Sequence, residues 1–122
     1  MILDYMDKGF LDNIIDLFKK HHDCFMLISD MLVDERIRVR LGVTALVETL
    51  VHSHRDVLVE IIPTIAELLS DPNPTVRGDS AYILSLIGHQ SALPYLLDHR
   101  QDENPIVREI IEDTIRELSS QN

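Results

Sequence analysis

The 122 residues carry 11 lysines and arginines against 21 aspartates and glutamates, which gives a formal net charge of −10 at pH 7. A chain of this length is expected to form one domain, and its 45% hydrophobic content is that of a folded protein rather than a disordered one. The acid excess argues against binding to DNA or RNA, because such a protein needs a basic surface to neutralise phosphates.

The first predicted element is a helix over residues 3–20. Gly9 weakens this helix in its middle and can break it. We expect residues 1–22 to cap the rest of the domain, because a stack of helical repeats needs a terminal element that covers its first core face. The apolar residues that share one helical face are Ile2, Leu3, Met6, Phe10, Ile14, Leu17 and Phe18.

Apolar stripes at helical spacing predict six further helices, arranged in three consecutive pairs. Their ranges are 23–33 and 37–51, then 56–69 and 74–87, then 91–99 and 105–118. In the second helix of each pair, a valine is followed by further core positions 4, 7, 8 and 11 residues later. The predicted core of these second helices is Val39, Val43, Leu46, Val47, Leu50, Val76, Ser80, Ile83, Leu84, Ile87, Val107, Ile111, Thr114, Ile115 and Leu118.

An aspartate, a valine five residues later and an arginine directly after the valine recur three times. Eight residues before the aspartate stand Met26, Pro63 and Pro94, and a proline inside a helix predicts a kink. The three copies of the repeated unit are Asp34, Val39 and Arg40; Asp71, Val76 and Arg77; and Asp102, Val107 and Arg108.

This unit resembles the HEAT repeat, in the short form found in phycobilisome-lyase-like proteins, over about residues 23–120. The resemblance implies an all-α fold: an α-α superhelix, or right-handed solenoid, of three helical pairs behind an N-terminal capping helix. The implied repeats cover residues 23–54, 55–88 and 89–122 of a single domain. The resemblance also implies a ladder of hydrogen bonds between neighbouring repeats, made by Asp34, Arg40, Asp71, Arg77, Asp102 and Arg108.

The physical chemistry supports such a ladder, because a guanidinium can hold a carboxylate with two parallel hydrogen bonds. We expect Arg77 to reach the carboxylate of Asp71 or Asp34. The alternative is that each arginine is only a solvated residue in the first turn of its helix.

Sequence motifs typical of catalysis, cofactor binding or metal binding are nearly absent. The four glycines are too far apart to form a phosphate-binding loop. Ser85 and His89 could approach each other on a helix, but nothing orients the histidine for catalysis. His52 and His54 have no acidic or sulfur ligand at a suitable spacing. We therefore expect no enzyme activity, no cofactor and no metal ion.

The single cysteine, Cys24, allows no internal disulfide, which is typical of a reducing compartment. A buried apolar role for Cys24 is favoured over a reactive thiol. No apolar run approaches the length of a membrane span, and the first residues lack the pattern of a signal peptide. We expect a cytoplasmic protein that does not bind membranes.

In a stack of HEAT-like repeats the second helices line the concave side. Positions of these helices that the core does not use are therefore a candidate binding face, with Tyr82 near its centre as an interface anchor. An ordinary solvated face is the alternative. The predicted face is Leu41, Ala45, Glu48, His52, Tyr82, Ser85, His89, Asp113 and Arg116.

Together these features predict a non-enzymatic scaffold that binds a protein partner on the concave face. The acidic surface suits a basic or amphipathic segment. Two alternatives stay open. The resemblance implies an accessory subunit of a chromophore lyase-like or other enzyme complex, and a solenoid end could join two copies into a homodimer.

Overall fold

The computed structural model describes residues 2–121, and these residues form helices, turns and no β-strand. The fold is therefore all-α, as predicted. The chain divides into two compact units, Met1–Ile61 and Ile62–Asn122, each with its own core.

The first unit holds five helices among its described residues: α1 (Ile2–Asp7), α2 (Leu11–Lys20), α3 (Leu27–Leu32), α4 (Ile37–Leu50) and α5 (Arg55–Glu60). A short 3₁₀ segment, His22–Met26, leads into α3. Both α1 and α2 pack against α4, and α2 also packs against the 3₁₀ segment. The ring centroids of Phe18 and Phe25 lie 5.3 Å apart within this core.

The N-terminal helix predicted over residues 3–20 is two helices. The chain turns at Gly9, whose φ of +88° is readily adopted only by glycine. The prediction that Phe10 belongs to the core stripe is wrong, since its side chain is 47% exposed. The turn at Gly9 interrupts the helical phase, so the stripe restarts in α2 with Ile14 and Phe18, which are fully buried.

The second unit holds four helices among its described residues: α6 (Ile62–Glu67), α7 (Pro74–Ile87), α8 (Leu93–Asp98) and α9 (Pro105–Ser119). Two 3₁₀ segments, Leu68–Ser70 and Gln90–Ala92, follow α6 and precede α8. The helices α7 and α9 pack against each other, and α8 packs on α9.

The three second helices, α4, α7 and α9, lie within two residues of their predicted bounds. Asn73 and Asn104 cap α7 and α9 by accepting backbone N–H bonds, and a proline occupies the first turn of each helix. Gly88 ends α7 in the left-handed conformation, with a φ of 63°. All fifteen core positions predicted for these helices are buried.

The first helix of each pair is broken rather than kinked. Pro63 is the second residue of α6 and Pro94 the second residue of α8, where a missing N–H leaves no helical bond unmade. In the first pair, the 3₁₀ segment gives way to α3 at Met26, the position without a proline. A break therefore recurs within two residues of the same register in all three copies, with or without proline.

Candidate functional site

The aspartate and the arginine of the repeated unit make the same local contacts in all three copies. The aspartate at the start of the turn accepts a hydrogen bond from the backbone N–H two residues later, which closes a turn before the second helix. The distances are 2.8 Å from Asp34 Oδ1 to Arg36 N, 2.9 Å from Asp71 Oδ1 to Asn73 N, and 2.9 Å from Asp102 Oδ1 to Asn104 N.

The arginine of each copy donates back to the carbonyl oxygen of its own aspartate. This contact fixes the turn from the opposite side, because the guanidinium bridges the first turn of the helix to the residue that precedes it. The distances are 2.7 Å from Arg40 Nη1 to Asp34 O, 3.0 Å from Arg77 Nη1 to Asp71 O, and 2.8 Å from Arg108 Nη1 to Asp102 O.

Arg77 also holds a carboxylate of the following copy. Its Nε lies 2.9 Å from Asp102 Oδ2 and its Nη2 lies 3.1 Å from Asp102 Oδ1. The expectation that its carboxylate partner is Asp71 or Asp34 is wrong. The carboxylate of Asp71 faces its own turn, so the turn of the next copy supplies the partner, 25 residues along the chain. For the other predicted members of the ladder, a hydrogen bond between neighbouring repeats stays a prediction.

The Arg77–Asp102 pair is largely removed from water, since the two side chains are only 10% and 7% exposed. Burial acts to raise the pKa of the Asp102 carboxyl, but the bonds from Arg77 and from the Asn104 N–H outweigh it, so this pKa lies below its usual value. Asp102 therefore stays ionised and joins three groups: the Arg77 guanidinium, the α9 turn and the Arg108 side chain.

In the first unit, Arg36 links the turn before α4 to α1. Its Nε and Nη2 hold the two carboxylate oxygens of Asp34 at 2.9 and 3.0 Å, while its Nη1 lies 2.7 Å from Asp4 Oδ1. The bonds from Arg36 lower the pKa of the Asp34 carboxyl. The sequence does not reveal the contact between Arg36 and Asp4, because a contact between residues 32 positions apart leaves no local pattern.

Gly42 explains how closely α1 approaches α4. A Cβ at Gly42 would lie 2.8 Å from Met6 Cγ and closer still to Met6 Sδ. The Met6 side chain thus occupies the space that any larger residue would need. The glycine is required by packing rather than by backbone conformation.

The predicted face on α4 is only partly a helix face. Leu41 and Glu48 are exposed and Ala45 is half-buried, whereas His52 lies in the turn after α4, which ends at Leu50. Their role in binding a partner stays a prediction.

In the second unit, Tyr82 is 43% exposed on α7. Asp113 and Arg116 are exposed on α9 and form an ion pair with each other. His89 lies beyond the end of α7, where its Nδ1 accepts the Ser91 N–H at 3.1 Å. This bond caps the following 3₁₀ segment, so His89 belongs to a helix end rather than to the middle of a face.

A groove that the sequence did not reveal lies between the first halves of α7 and α9. Its volume is about 260 Å³. Gly78 forms part of its wall, where a Cβ would be 3.7 Å from both Ile110 Cδ1 and Val107 Cγ2. The groove is lined by Pro74, Thr75, Gly78, Asp79, Asn104, Ile106, Val107 and Ile110.

Ile106 gives only a weak signal in the sequence. It precedes the core valine of α9 and so lies off the core stripe of a helix whose other outward residues are mostly charged. A single exposed apolar side chain is common on protein surfaces, so this residue alone does not indicate a site.

The described part of the chain offers no metal centre and no membrane span. Within residues 2–121, no three His, Cys, Asp or Glu side chains come together in a way that could hold a metal ion. The rings of His22 and His54 do approach each other, with centroids 5.2 Å apart, next to Phe25. None of the helices in these residues combines the length and the apolar character needed to cross a membrane.

A family model described as HEAT repeats matches residues 26–116, which is well over half of the chain. The searches of curated proteins and of solved structures returned no match. HEAT repeats generally mediate protein–protein interaction and are typically non-enzymatic scaffolds. The match is to the repeat itself, so the lyase-like accessory subunit stays a hypothesis.

Proposed function

Because the chain belongs to the HEAT repeat family, we propose that it is a non-enzymatic module that binds a protein partner on the exposed face of α7 and α9. Tyr82 is the central contact of this face. The partner presents a basic or amphipathic segment, and binding takes place in the cytoplasm, where a single unpaired cysteine is stable.

The exposed ring of Tyr82 is the observation that carries this proposal. The core positions of α7 are already filled by other side chains, and Tyr82 is 43% exposed beside them. An aromatic side chain outside the core is typical of an interface anchor, because it buries a large area on binding at a small cost in side-chain entropy.

The charges on α9 favour a basic partner. This helix carries four acidic residues against two arginines. Electrostatic complementarity of this kind accelerates association and selects against acidic partners. Its acidic residues are Glu109, Glu112, Asp113 and Glu117.

A capture experiment with matched variants tests the proposal. The immobilised full chain is exposed to a lysate, and retained proteins are quantified for wild type, Tyr82→Ala and Tyr95→Ala. Tyr95 is a suitable control, since it is an exposed tyrosine of α8 and lies on the first helix of its pair. We expect at least one protein to be retained by wild type and Tyr95→Ala and lost with Tyr82→Ala. If every retained protein binds all three chains equally, Tyr82 is not the anchor.

Homodimerisation remains the competing hypothesis from the sequence. Sedimentation equilibrium over a hundredfold range of protein concentration distinguishes it from binding to another protein. We expect a constant monomer mass for wild type. A mass that rises towards that of two chains, and that Tyr82→Ala returns to one, would make a second copy the occupant of this face.

A further inference from the structure

We propose that the turn at Gly9 is a switch between a monomer and a dimer in which two copies of the chain exchange α1. In the exchanged form α1 and α2 join into one straight helix, and α1 of each copy packs on α4 of the other copy. This inference goes beyond the proposed function and uses only residues of the first unit.

Local contacts around Gly9 hold the bent form. The Gly9 N–H donates to Met6 O at 3.1 Å, and the Phe10 N–H donates to Tyr5 O at 3.0 Å. This pair of bonds ends a helix at a left-handed glycine, and the φ of Gly9 is +88°. The rings of Tyr5 and Phe10 meet edge to face, with centroids 5.9 Å apart. The bend therefore depends on a backbone conformation that most other residues adopt only at a cost.

The sequence around Gly9 also fits one continuous helix. Met6, Phe10 and Ile14 are spaced four residues apart, so a helix running through Gly9 would place them on one face. In the bent form Phe10 leaves that face and is 47% exposed. The same segment thus has two competing arrangements, a bent one that requires glycine and a straight one that does not.

The contacts that attach α1 to α4 can be made equally well by α1 of another copy. A helix of six residues is not stable alone in water, so α1 needs a surface on which to pack. Met6 fills the space above Gly42, and Asp4 Oδ1 lies 2.7 Å from Arg36 Nη1. The surface of α4 therefore has an occupant of known chemistry, which is α1 of either chain.

Gly9 keeps the wild-type chain monomeric. The connection between α1 and α2 is short, so closure within one chain is favoured by an effective concentration of about a millimolar. Glycine adopts the bend without strain, and exchange then relieves nothing. A residue that resists the left-handed conformation strains this short hinge, which favours exchange. Because exchange is reciprocal, each dimer releases two bends.

Sedimentation equilibrium of full-length Gly9→Ala tests the switch. Apart from the neighbouring residues of the chain, no atom lies within 4 Å of a Cβ added at Gly9, so this change acts through the backbone alone. We expect the dissociation constant of the dimer to fall by roughly a hundredfold, tenfold for each released bend. Gly9→Asn is the matched control, since asparagine tolerates the left-handed conformation. It should keep the mass of one chain where Gly9→Ala approaches the mass of two.

A disulfide between positions 6 and 42 shows which chain supplies α1. Met6→Cys and Gly42→Cys are combined in a Cys24→Ser background. A Cβ at Gly42 would lie 2.8 Å from Met6 Cγ, the place that the sulfur introduced at position 6 takes, so the two positions are close enough to be bridged. On a non-reducing gel we expect a band of one chain when Gly9 is kept. With Gly9→Ala added, we expect a band of two chains that reduction returns to one.

Four results would overturn the switch. Gly9→Ala could keep the mass of one chain at every concentration, or lose its helical circular dichroism instead of dimerising. Equal dimerisation of Gly9→Ala and Gly9→Asn would show that the left-handed conformation is not what holds the monomer. A dimer of Gly9→Ala whose disulfide stays within one chain would be joined through another surface.

Discussion

The guanidinium of Arg77 and the carboxylate of Asp102 form a bidentate, nearly buried ion pair. This pair joins the first turn of α7 to the turn before α9. The two residues occupy different places in successive copies of the same unit. One copy therefore supplies the arginine and the next supplies the acid.

Replacement of Arg77 tests the strength of this link. Arg77→Ala strands the ionised Asp102 in a largely buried position, and an unpaired buried charge is strongly destabilising. We expect the melting temperature, followed by circular dichroism, to fall by roughly 5–15 °C. Arg108→Ala is the control at the same register, since Arg108 is exposed and bonds to a backbone carbonyl. It should lower the melting temperature by no more than about 3 °C. Equal shifts for the two variants would show that the carboxylate contact adds nothing.

The same pair predicts a dependence of stability on pH. The pKa of Asp102 is depressed in the folded chain, so its stabilising effect is complete above the unfolded value of about 3.9 and is lost as pH falls through the folded value. Asp102→Asn should therefore melt well below wild type at pH 7, and the difference should shrink below about pH 4. In an Arg77→Ala background this convergence should largely disappear. A difference that stays constant from pH 7 to pH 2 would contradict the assignment.

Gly42 and Met6 predict a non-additive pair of substitutions. Gly42→Ala alone should lower the free energy of unfolding, because its methyl group must displace the buried Met6 side chain. In a Met6→Ala background the same change should raise it by about 0.5–1 kcal/mol, since alanine is the better helix former. Gly78→Ala is the control, with room at 3.7 Å, and should be stabilising in the wild-type background. Urea unfolding measures the stability of Gly42→Ala, Met6→Ala, the double variant and Gly78→Ala. Identical effects of Gly42→Ala in both backgrounds would rule out the contact between positions 42 and 6.

Ser80 predicts a stabilising substitution in the core of α7. Its hydroxyl is buried and has no hydrogen-bond partner among the described residues. Ser80→Ala should raise the free energy of unfolding by about 1 kcal/mol, because it removes an unsatisfied polar group and improves helix propensity. Thr114→Val is the comparison, since the Thr114 hydroxyl is bonded to Ile110 O at 2.8 Å, and it should bring no gain. A lower stability of Ser80→Ala in urea would mean that the hydroxyl is satisfied.

The second helices could be predicted from the sequence because their signals agree with one another. In α7, Asn73 as a cap, Pro74 in the first turn and Gly88 as a stop enclose an apolar stripe at helical spacing. The first helices were less predictable, because the change from 3₁₀ to α geometry at Met26 leaves no distinct mark in composition.

Contacts between side chains of neighbouring repeats could not be predicted from the sequence. The spacing of Asp71, Arg77 and Asp102 indicates that they belong together, but not whether the arginine turns to its own repeat or to the next. It does both, with a carbonyl bond to Asp71 and a carboxylate bond to Asp102. The groove at Ile106 was missed for the same reason, since its two walls come from helices about 30 residues apart.

The affinity of a captured protein partner for wild type and Tyr82→Ala is the most direct test of the claim that the α7–α9 face is a binding site. Tyr82→Ala should leave the free energy of unfolding within about 0.5 kcal/mol of wild type, as a surface change does. Isothermal titration should show a loss of about 2 kcal/mol, or roughly thirtyfold in Kd. Equal dissociation constants for two equally stable chains would contradict the claim and move binding to another surface.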